Sequence, residues 1–376
     1  MRGCGTFHGV GLIVMSVSEI EPYLRELGLL VGSGSDVAVE RVAGRNLIHK
    51  VTWDSGGYIV KQGVGPEGSR SLANEAAVYR RLATHGDSDL GRYFADFVAH
   101  DTERDALTVE LVGNAENLRD YHIGVGHFSI TLGRALGNAL GALHSSSSPT
   151  REQPNGFANI PPWILSLHRP DLNMLGHASS ANIELIKTVQ QVPELGEYLD
   201  ALRGSWVPTT LIHNDMRWDN CVVHGKRGSG RRTRLKLIDL ELAQLGDPLW
   251  DVGCALSDYL SLWVTSIPMT GEAPPDHFTR LSRYPLHRMQ PAIRSLWRAY
   301  LRRAELDSIR ATPALHTATR YAAARLIHTA FERTQLTTYL AGTVICMLQL
   351  SLNIFEQTAD AAVELFGIPG ETTGPL

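Results

Sequence analysis

The most constraining feature of this chain is a polar interruption in a stretch that otherwise has the composition of a buried strand. Residues 211–223 read LIHNDMRWDNCVV, with aliphatic residues at both ends. Val, Ile and Leu favour strands, whereas the Asn-Asp and Asp-Asn pairs favour turns. The pattern predicts a short loop between two buried strands that carries His213, Asp215, Arg217, Asp219 and Asn220.

A second motif follows closely and reads LKLIDLELAQLGDPLWDVG from Leu235 onward. Asn220 comes five positions after Asp215, and Asp239 comes 19 positions after Asn220. Alternation along a strand that begins at Leu235 places Asp239 and Glu241 on one face. The sequence therefore predicts two carboxylates side by side at the end of a buried strand.

These oxygen-rich side chains indicate phosphoryl transfer with a magnesium ion. Hard oxygen ligands suit Mg²⁺, which keeps several waters and bridges to substrate phosphates. A loop Asp, an Asn five residues later and a strand Asp are the parts that such a reaction needs. One deprotonates a hydroxyl and the other two hold the metal on a triphosphate. A decorated turn would explain Asp215 or Asn220 singly, but not the whole set.

Residues 36–112 predict a small sheet with one helix and supply candidates for nucleotide binding. Lys61 ends the strand GYIVK, where its ammonium can reach phosphates if another group orients it. Glu75 shares the apolar face of the helix with Leu72 and Tyr79, so it is the candidate partner, because an unpaired buried carboxylate is costly. A lysine that reaches solvent and a solvated glutamate are the alternative.

The same region contains two weaker candidates for nucleotide binding. The AGRN turn at 43–46, with Gly44 and Asn46, lies where a phosphate-covering loop would sit, although a plain hairpin turn fits as well. Glu110 and Val112 close the strand-rich part, where their backbone groups could contact an adenine. Both assignments rest on position along the chain.

HNDMRWDN followed by IDLELAQLGDPLWDVG resembles the paired motifs of the aminoglycoside phosphotransferase and choline kinase family, small-molecule relatives of protein kinases. The resemblance implies an α+β, two-lobed protein-kinase-like fold with ATP in the cleft. We expect an N-terminal extension or helix at 1–30, a small β-rich N-lobe at 31–112 and a larger, mainly helical C-lobe at 113–376.

The same resemblance implies roles for individual residues. Asp215 would be the catalytic base, Asn220 and Asp239 the magnesium ligands, and Lys61 the phosphate-binding lysine with Glu75 as its partner.

Four further residues match the family's pattern less directly. His213 and Asp251 resemble supports of the catalytic loop. Arg217 stands two residues after the base, where protein kinases carry a lysine that neutralises the charge of the transferred phosphate, and a surface role is the alternative. Because DLE replaces the DFG of protein kinases, Glu241 is either a second metal contact or a structural acceptor.

The acceptor is less constrained than the reaction. From Leu256 to the end there are 10 Asp and Glu against 11 Arg and no Lys, so this part of the chain shows no acidic excess for a polycationic aminoglycoside. A few acids such as Asp258 or Glu332 would still suffice. Arg325, His328 and Glu332 share one helix face, which either looks into the cleft or forms a satisfied helix surface.

The motifs are also similar to kinases of class V lanthipeptide and thioamitide pathways, which phosphorylate Ser and Thr of a precursor peptide before a partner lyase eliminates the phosphate. This resemblance favours a peptide acceptor. A small-molecule hydroxyl (aminoglycoside or other antibiotic, choline-like alcohol or sugar) and a catalytically weak ATP-binding scaffold are the alternatives. The five basic residues within 226–234 could attract an acidic peptide or partner, or form a solvated hairpin tip.

Bulk properties narrow the setting. A net charge of -4 gives no general reason to expect nucleic acid or an anionic membrane as a partner. Four scattered cysteines predict a reduced, cytoplasmic setting. The sequence contains no uninterrupted run of 18 apolar residues, so we expect no membrane-spanning helix. Met15 is a possible start site. The segment 264–287 predicts a long loop or lid, and 291–366 predicts a helical tail with a break near Pro313.

Overall fold

The computed structural model describes residues 14–30, 36–44, 46–54, 56–84, 90–145, 157–225, 233–268 and 280–369. The chain divides into two units. The first comprises Met1–Gly86, Phe94–Asn114 and Asp239–Leu242, and the second comprises Asp87–Tyr93, Ala115–Ile238 and Ala243–Leu376. The predicted α+β fold, with a small β-rich part and a larger helical part, is confirmed. Residues 239–242 belong to the first unit, although the predicted division into consecutive segments placed them in the second.

The first unit is built on an antiparallel sheet with the strand order β1-β2-β3-β5-β4. The predicted small sheet with its helix is present, and a further helix lies in the predicted N-terminal extension. Their bounds are β1 Ala38–Val42, β2 Leu47–Trp53, β3 Gly56–Gln62, β4 Phe97–Asp101 and β5 Ala106–Glu110, with helices α1 Val17–Glu26 and α2 Gly65–Thr84.

Strand alternation explains how this sheet separates its core from its charged face. Val60 is fully buried in a cluster with Val51 and with Ile20 and Leu24 of α1. The side chain of the next residue, Lys61, points to the opposite face of the sheet because successive residues of a strand alternate. Strand β3 therefore directs the apolar side chain of Val60 to the core face of the sheet and the ammonium of Lys61 to the opposite face.

The second unit contains two small antiparallel sheets, β10-β7 and β6-β8-β9, among many helices. Its strands are β6 Ala115–Asn117, β7 Thr210–Ile212, β8 Cys221–His224, β9 Arg234–Leu237 and β10 Gln244–Gly246. Its described helices are α3 Leu118–Val125, α4 Ile130–Ser145, α5 Leu172–His177, α6 Ser180–Gln190, α7 Pro193–Gly204, α8 Pro248–Thr265, α9 Leu286–Arg303, α10 Ser308–Thr334, α11 Gly342–Glu356 and α12 Thr358–Glu364.

The predicted break at Pro313 is wrong in position. The helical tail is interrupted between α9 and α10, and Pro313 lies inside α10. Asp307 caps α10 by accepting a hydrogen bond from the backbone N–H of Arg310, and this cap defines the helix start. Pro313 removes only one backbone donor from a helix of 27 residues that is otherwise held by tertiary packing.

Several predictions concern residues outside the described ranges. They include residues 1–13 of the extension, Arg45 of the AGRN turn, 226–232 of the basic turn and 269–279 of the predicted lid. Within the described ranges, none of the helices combines the length and the apolarity that crossing a bilayer requires.

Helix α4 packs against α9 at very short range because it carries glycines four residues apart. A Cβ added at Gly133 would overlap the carbonyl oxygen of Ala292, and one added at Gly137 would overlap that of Leu296. Glycine is required here by the approach of a neighbouring backbone, which cannot yield as a flexible side chain can.

Replacing Gly137 by alanine is expected to lower the free energy of unfolding by about 1–3 kcal/mol, because the two helices must separate to admit the methyl group. Chemical denaturation measures this change. The matched control is Gly204→Ala at the exposed end of α7, where an added Cβ meets no atom within 4 Å. Equal effects of the two substitutions would contradict the packing argument.

Candidate active site

The polar loop predicted between two buried strands is present and joins β7 to β8. It is not a hairpin, because β7 pairs with β10 whereas β8 pairs with β6 and β9. Asn214 adopts a left-handed backbone with φ of 66°, a conformation that asparagine tolerates better than most residues. The loop therefore connects two different sheets, with Asp215 directly after this turn.

Asp215 is held from both sides within its own loop. Arg217 donates from Nε and Nη2 to Asp215 Oδ1 at 3.1 and 2.8 Å. The Asn220 Nδ2 group donates to Asp215 Oδ2 at 3.1 Å and to the Asp215 carbonyl at 2.9 Å. Because Asn220 donates through its nitrogen, its side-chain oxygen is the atom that a cation would contact. The Asp215 side chain remains 22% exposed and can be reached by a substrate.

A buried carboxylate beneath the loop sets its backbone. Asp251 of α8 accepts the backbone N–H groups of His213 and Asn214 at 2.7 and 3.0 Å. His144, at the end of α4, lies with Nε2 3.1 Å from the same carboxylate, and its Nδ1 lies 3.2 Å from the hydroxyl of Tyr300. The Asp251 carboxylate thereby fixes the backbone at His213 and Asn214. His144 was not predicted, because its partner lies 107 residues away along the chain.

Two hydrogen bonds connect the loop to the next motif. The His213 ring donates from Nε2 to the carbonyl of Ile238 at 2.9 Å, which requires the proton to reside on Nε2. The backbone N–H of Ile238 donates to the carbonyl of Asn220 at 3.0 Å. The residue that follows Ile238 in the chain is Asp239.

Arg217 also contacts a cluster of charged residues on helix α10. Glu332 contacts Arg217 at 3.0 Å, Arg325 at 3.2 Å and His328 at 3.5 Å. Arg325 is only 4% exposed, so the prediction of a satisfied helix surface for this face is wrong. Burial, together with the nearby guanidinium of Arg325, lowers the pKa of His328 to about 3 and keeps the ring neutral. The cluster therefore contains two arginines and two carboxylates when Asp215 is included.

Asp258 does not present its carboxylate as a free acidic group. It lies on α8 with 3% exposure, and its Oδ2 accepts the backbone N–H of Trp218 at 2.5 Å. Burial raises the pKa of Asp258 to about 6, although Arg119 and Arg325 oppose the shift. The geometry supports Asp258 as a brace of the loop rather than as an acid that binds a cationic acceptor.

In the first unit, Lys61 forms the expected contact with Glu75. The ammonium lies 2.8 and 2.9 Å from the two carboxylate oxygens of Glu75 and 2.6 Å from Asp239 Oδ1. Glu75 is fully buried, whereas the side chain of Asp239 is 36% exposed. Burial disfavours the ammonium charge, but Glu75 and Asp239 outweigh it and raise the pKa of Lys61 above its usual value.

The predicted strand alternation through Asp239 is wrong. Strand β9 ends at Leu237, and Asp239 has a left-handed backbone with φ of 64°. A short 3₁₀ turn at Leu240–Leu242 follows. The strand face therefore does not continue to the second carboxylate, and the turn directs the two side chains to separate contacts.

Glu241 has structural partners in the first unit. Its Oε2 accepts hydrogen bonds from Ser71 Oγ at 2.9 Å and from Asn46 Nδ2 at 3.3 Å. Its backbone carbonyl accepts from Asn74 Nδ2 at 3.0 Å. These contacts support the structural alternative for Glu241 over a second metal contact.

The weaker candidates for nucleotide binding differ in their burial and in the hydrogen bonds that they already form. Asn46 is buried, and its amide nitrogen is used on Glu241, while Gly44 lies exposed before β2. The backbone N–H of Glu110 donates to the carbonyl of Asp96 at 2.9 Å, and that of the following residue is also used within the sheet. An adenine contact from 110–112 would therefore use other backbone groups, including those of half-buried Val112.

Because the pKa of Asp258 is raised, the free energy of unfolding should depend on pH. The folded state holds the proton up to about pH 6, whereas the unfolded state releases it near pH 4. The stability of the wild type relative to Asp258→Asn should therefore rise by about 1–2 kcal/mol between pH 7.5 and pH 5. Denaturant titrations of both proteins at the two pH values measure this difference, and a difference that does not change with pH would contradict it.

Residues 45–270 match the model of the phosphotransferase enzyme family, APH. Among solved structures, the chain is similar to a microcompartment-associated aminopropanol kinase, with 15% identity, a TM-score of 0.50 and coverage of 91% of this chain and 98% of that one. It is also similar to the choline kinase LicA from Streptococcus pneumoniae, with 15% identity, a TM-score of 0.46 and coverage of 90% and 98%.

A third similar structure is a spectinomycin phosphotransferase in complex with ADP and spectinomycin, with 12% identity, a TM-score of 0.48 and coverage of 92% and 98%. A comparison with curated proteins found no match. At these identities the likeness to the aminopropanol kinase concerns the fold. The family model spans more than half of the chain, and the chain belongs to the phosphotransferase enzyme family.

Proposed function

We propose that this protein transfers the γ-phosphoryl group of ATP to a hydroxyl group of its substrate. The observation that carries the proposal is the buried Lys61, whose ammonium is shared by Glu75 and Asp239. A charged lysine that is fixed by a buried glutamate is oriented to bind phosphate oxygens. Family membership supports the reaction class, and the contacts above support the residue roles.

The residues present fit a magnesium ion. Lys61 carries one positive charge against the carboxylates of Glu75 and Asp239, so this cluster has a net negative charge. Asp239, the more exposed of the two carboxylates, is a hard oxygen donor of the type that Mg²⁺ prefers. The side-chain oxygen of Asn220 in the second unit is a donor of the same type, and we propose it as the second protein ligand. When bound, the ion would neutralise charge on the triphosphate.

Asp215 is the proposed general base. Its carboxylate would accept the proton of the acceptor hydroxyl as the oxygen attacks the γ-phosphorus and the bond to ADP breaks. Arg217 and Asn220 fix the orientation of the carboxylate through the hydrogen bonds to Oδ1 and Oδ2. Arg217 also places a positive charge beside the position where negative charge develops on the transferred group.

The charges around Asp215 argue against a polycationic acceptor. Glu332 is bound to Arg217 and Arg325, and Asp219 and Asp258 each lie 3.8 Å from Arg119. Each of these acids therefore already contacts an arginine, although Asp219 and Asp258 share Arg119, and an aminoglycoside would have to compete with these arginines. The proposed acceptor is a hydroxyl of low local charge.

A Ser or Thr hydroxyl of a precursor peptide meets this condition, and a partner lyase could later eliminate its phosphate. The motif resemblance supports this acceptor. A small neutral or zwitterionic alcohol meets the same condition and is the second candidate. Transfer from γ-labelled ATP with Mg²⁺ to a panel of Ser/Thr peptides, small alcohols and aminoglycosides, followed by mass analysis, tests the proposal. ATP binding without transfer to any acceptor would instead favour a scaffold.

The Asp215→Asn substitution is expected to reduce phosphoryl transfer by about 10²–10⁴-fold while the affinity for ATP stays close to that of the wild type. Asn keeps the shape of the side chain but cannot accept the proton. Asp219→Asn, in the same loop but 49% exposed, is the matched control and should retain activity. Near-native turnover of Asp215→Asn would remove it as the base.

The Lys61→Arg substitution keeps the charge but replaces a compact ammonium by a planar guanidinium. We expect the KM for ATP to rise roughly tenfold, the equivalent of one lost charge-assisted hydrogen bond of about 1.5 kcal/mol. Steady-state kinetics at varied ATP measures the change. Lys50→Arg, on the neighbouring strand β2 with an exposed contact to Glu40 at 3.7 Å, is the control. An unchanged KM for both variants would rule out phosphate binding by Lys61.

A further inference from the structure

A cavity of about 930 Å³ opens on the second unit between the start of α4, the outer end of β9 and the 3₁₀ turn at Leu90–Arg92. None of the residues assigned above to phosphoryl transfer lines it. The cavity has the size of a small-molecule site, yet its lining is mostly polar instead of apolar. Its chemistry therefore differs from that of an ordinary hydrophobic pocket.

Three arginines line this cavity: Arg92, Arg134 and Arg234. No acidic residue is among the described residues that line it. Arg134 and Arg234 are exposed and form no ion pair with any described carboxylate. Arg92 has a partner of its own, whereas the charges of Arg134 and Arg234 are not offset by any described carboxylate. An occupant with negative charge would therefore be attracted to these two guanidinium groups.

Hydroxyl groups supplement the arginines. Ser129, Thr131 and Thr233 line the same cavity. The Ser129 hydroxyl oxygen accepts the backbone N–H of Leu132 at 3.3 Å, so its own proton can be donated to a ligand. Guanidinium groups bind carboxylates and phosphates in a bidentate manner, and hydroxyls satisfy the remaining oxygen lone pairs.

We propose that this cavity binds a ligand that presents two or more carboxylate or phosphate groups close together. Acidic side chains of a peptide and a small free polyanion share this chemistry. The site is separate from the phosphoryl-transfer residues, and the proposal does not rest on the proposed function. It would give the protein a second point of attachment for an acidic partner or effector.

The experiment uses the full chain and measures binding instead of turnover. Fluorescein-labelled hexaglutamate is followed by anisotropy, and inorganic tripolyphosphate is followed by calorimetry in the presence of saturating MgADP, which occupies the nucleotide-binding residues. We expect at least one probe to bind, with an affinity that falls as salt is raised. Binding of hexaglutamate alone identifies a peptide source, and binding of tripolyphosphate alone identifies a small polyanion.

The test variant is the double substitution Arg134→Ala with Arg234→Ala, which should weaken binding by about tenfold or more because two charge-assisted contacts are lost. Arg298→Ala, an exposed arginine of α9 outside the cavity, is the control and should bind as the wild type does. Unchanged midpoints of thermal unfolding show that the variants are folded. Binding of neither probe by the wild type, or binding that survives the double substitution, would overturn the proposal.

Discussion

The hydrogen bonds of the buried Asp251 carboxylate are the interaction on which the loop around Asp215 depends. This carboxylate has no exposure to solvent, yet it accepts two backbone N–H groups of the loop and a contact from His144. A buried carboxylate without such partners would be costly, so the loop and Asp251 stabilise each other. The backbone on either side of the left-handed Asn214 is thereby fixed, and Asp215 follows it directly.

The two charged clusters use burial in different ways. In the first unit, burial of Glu75 makes its pairing with Lys61 obligatory, and the exposed side chain of Asp239 carries the excess negative charge. In the second unit, Glu332 joins Arg325 to Arg217, and Arg217 in turn orients Asp215. One cluster therefore carries an excess of negative charge, whereas the other contains arginines and carboxylates in equal number.

Local patterns made part of this site predictable. The strand-loop-strand interpretation of 211–223 required only composition and turn residues, and the contact between Lys61 and Glu75 followed from an acid on the apolar face of a helix. Predictions failed where backbone conformation departed from regular structure. Strand periodicity was extended past Leu237, but the left-handed Asp239 ends it and sends Glu241 to Ser71 instead.

The sequence by itself determined the chemistry and the local elements, because residue type, spacing and alternation act over a few positions of the chain. Tertiary structure decided which distant groups meet. His144 reaches Asp251, Glu332 reaches Arg217, and three arginines from separate segments surround one cavity. No periodicity relates such residues, because their proximity results from the packing of helices and strands that are far apart in the chain.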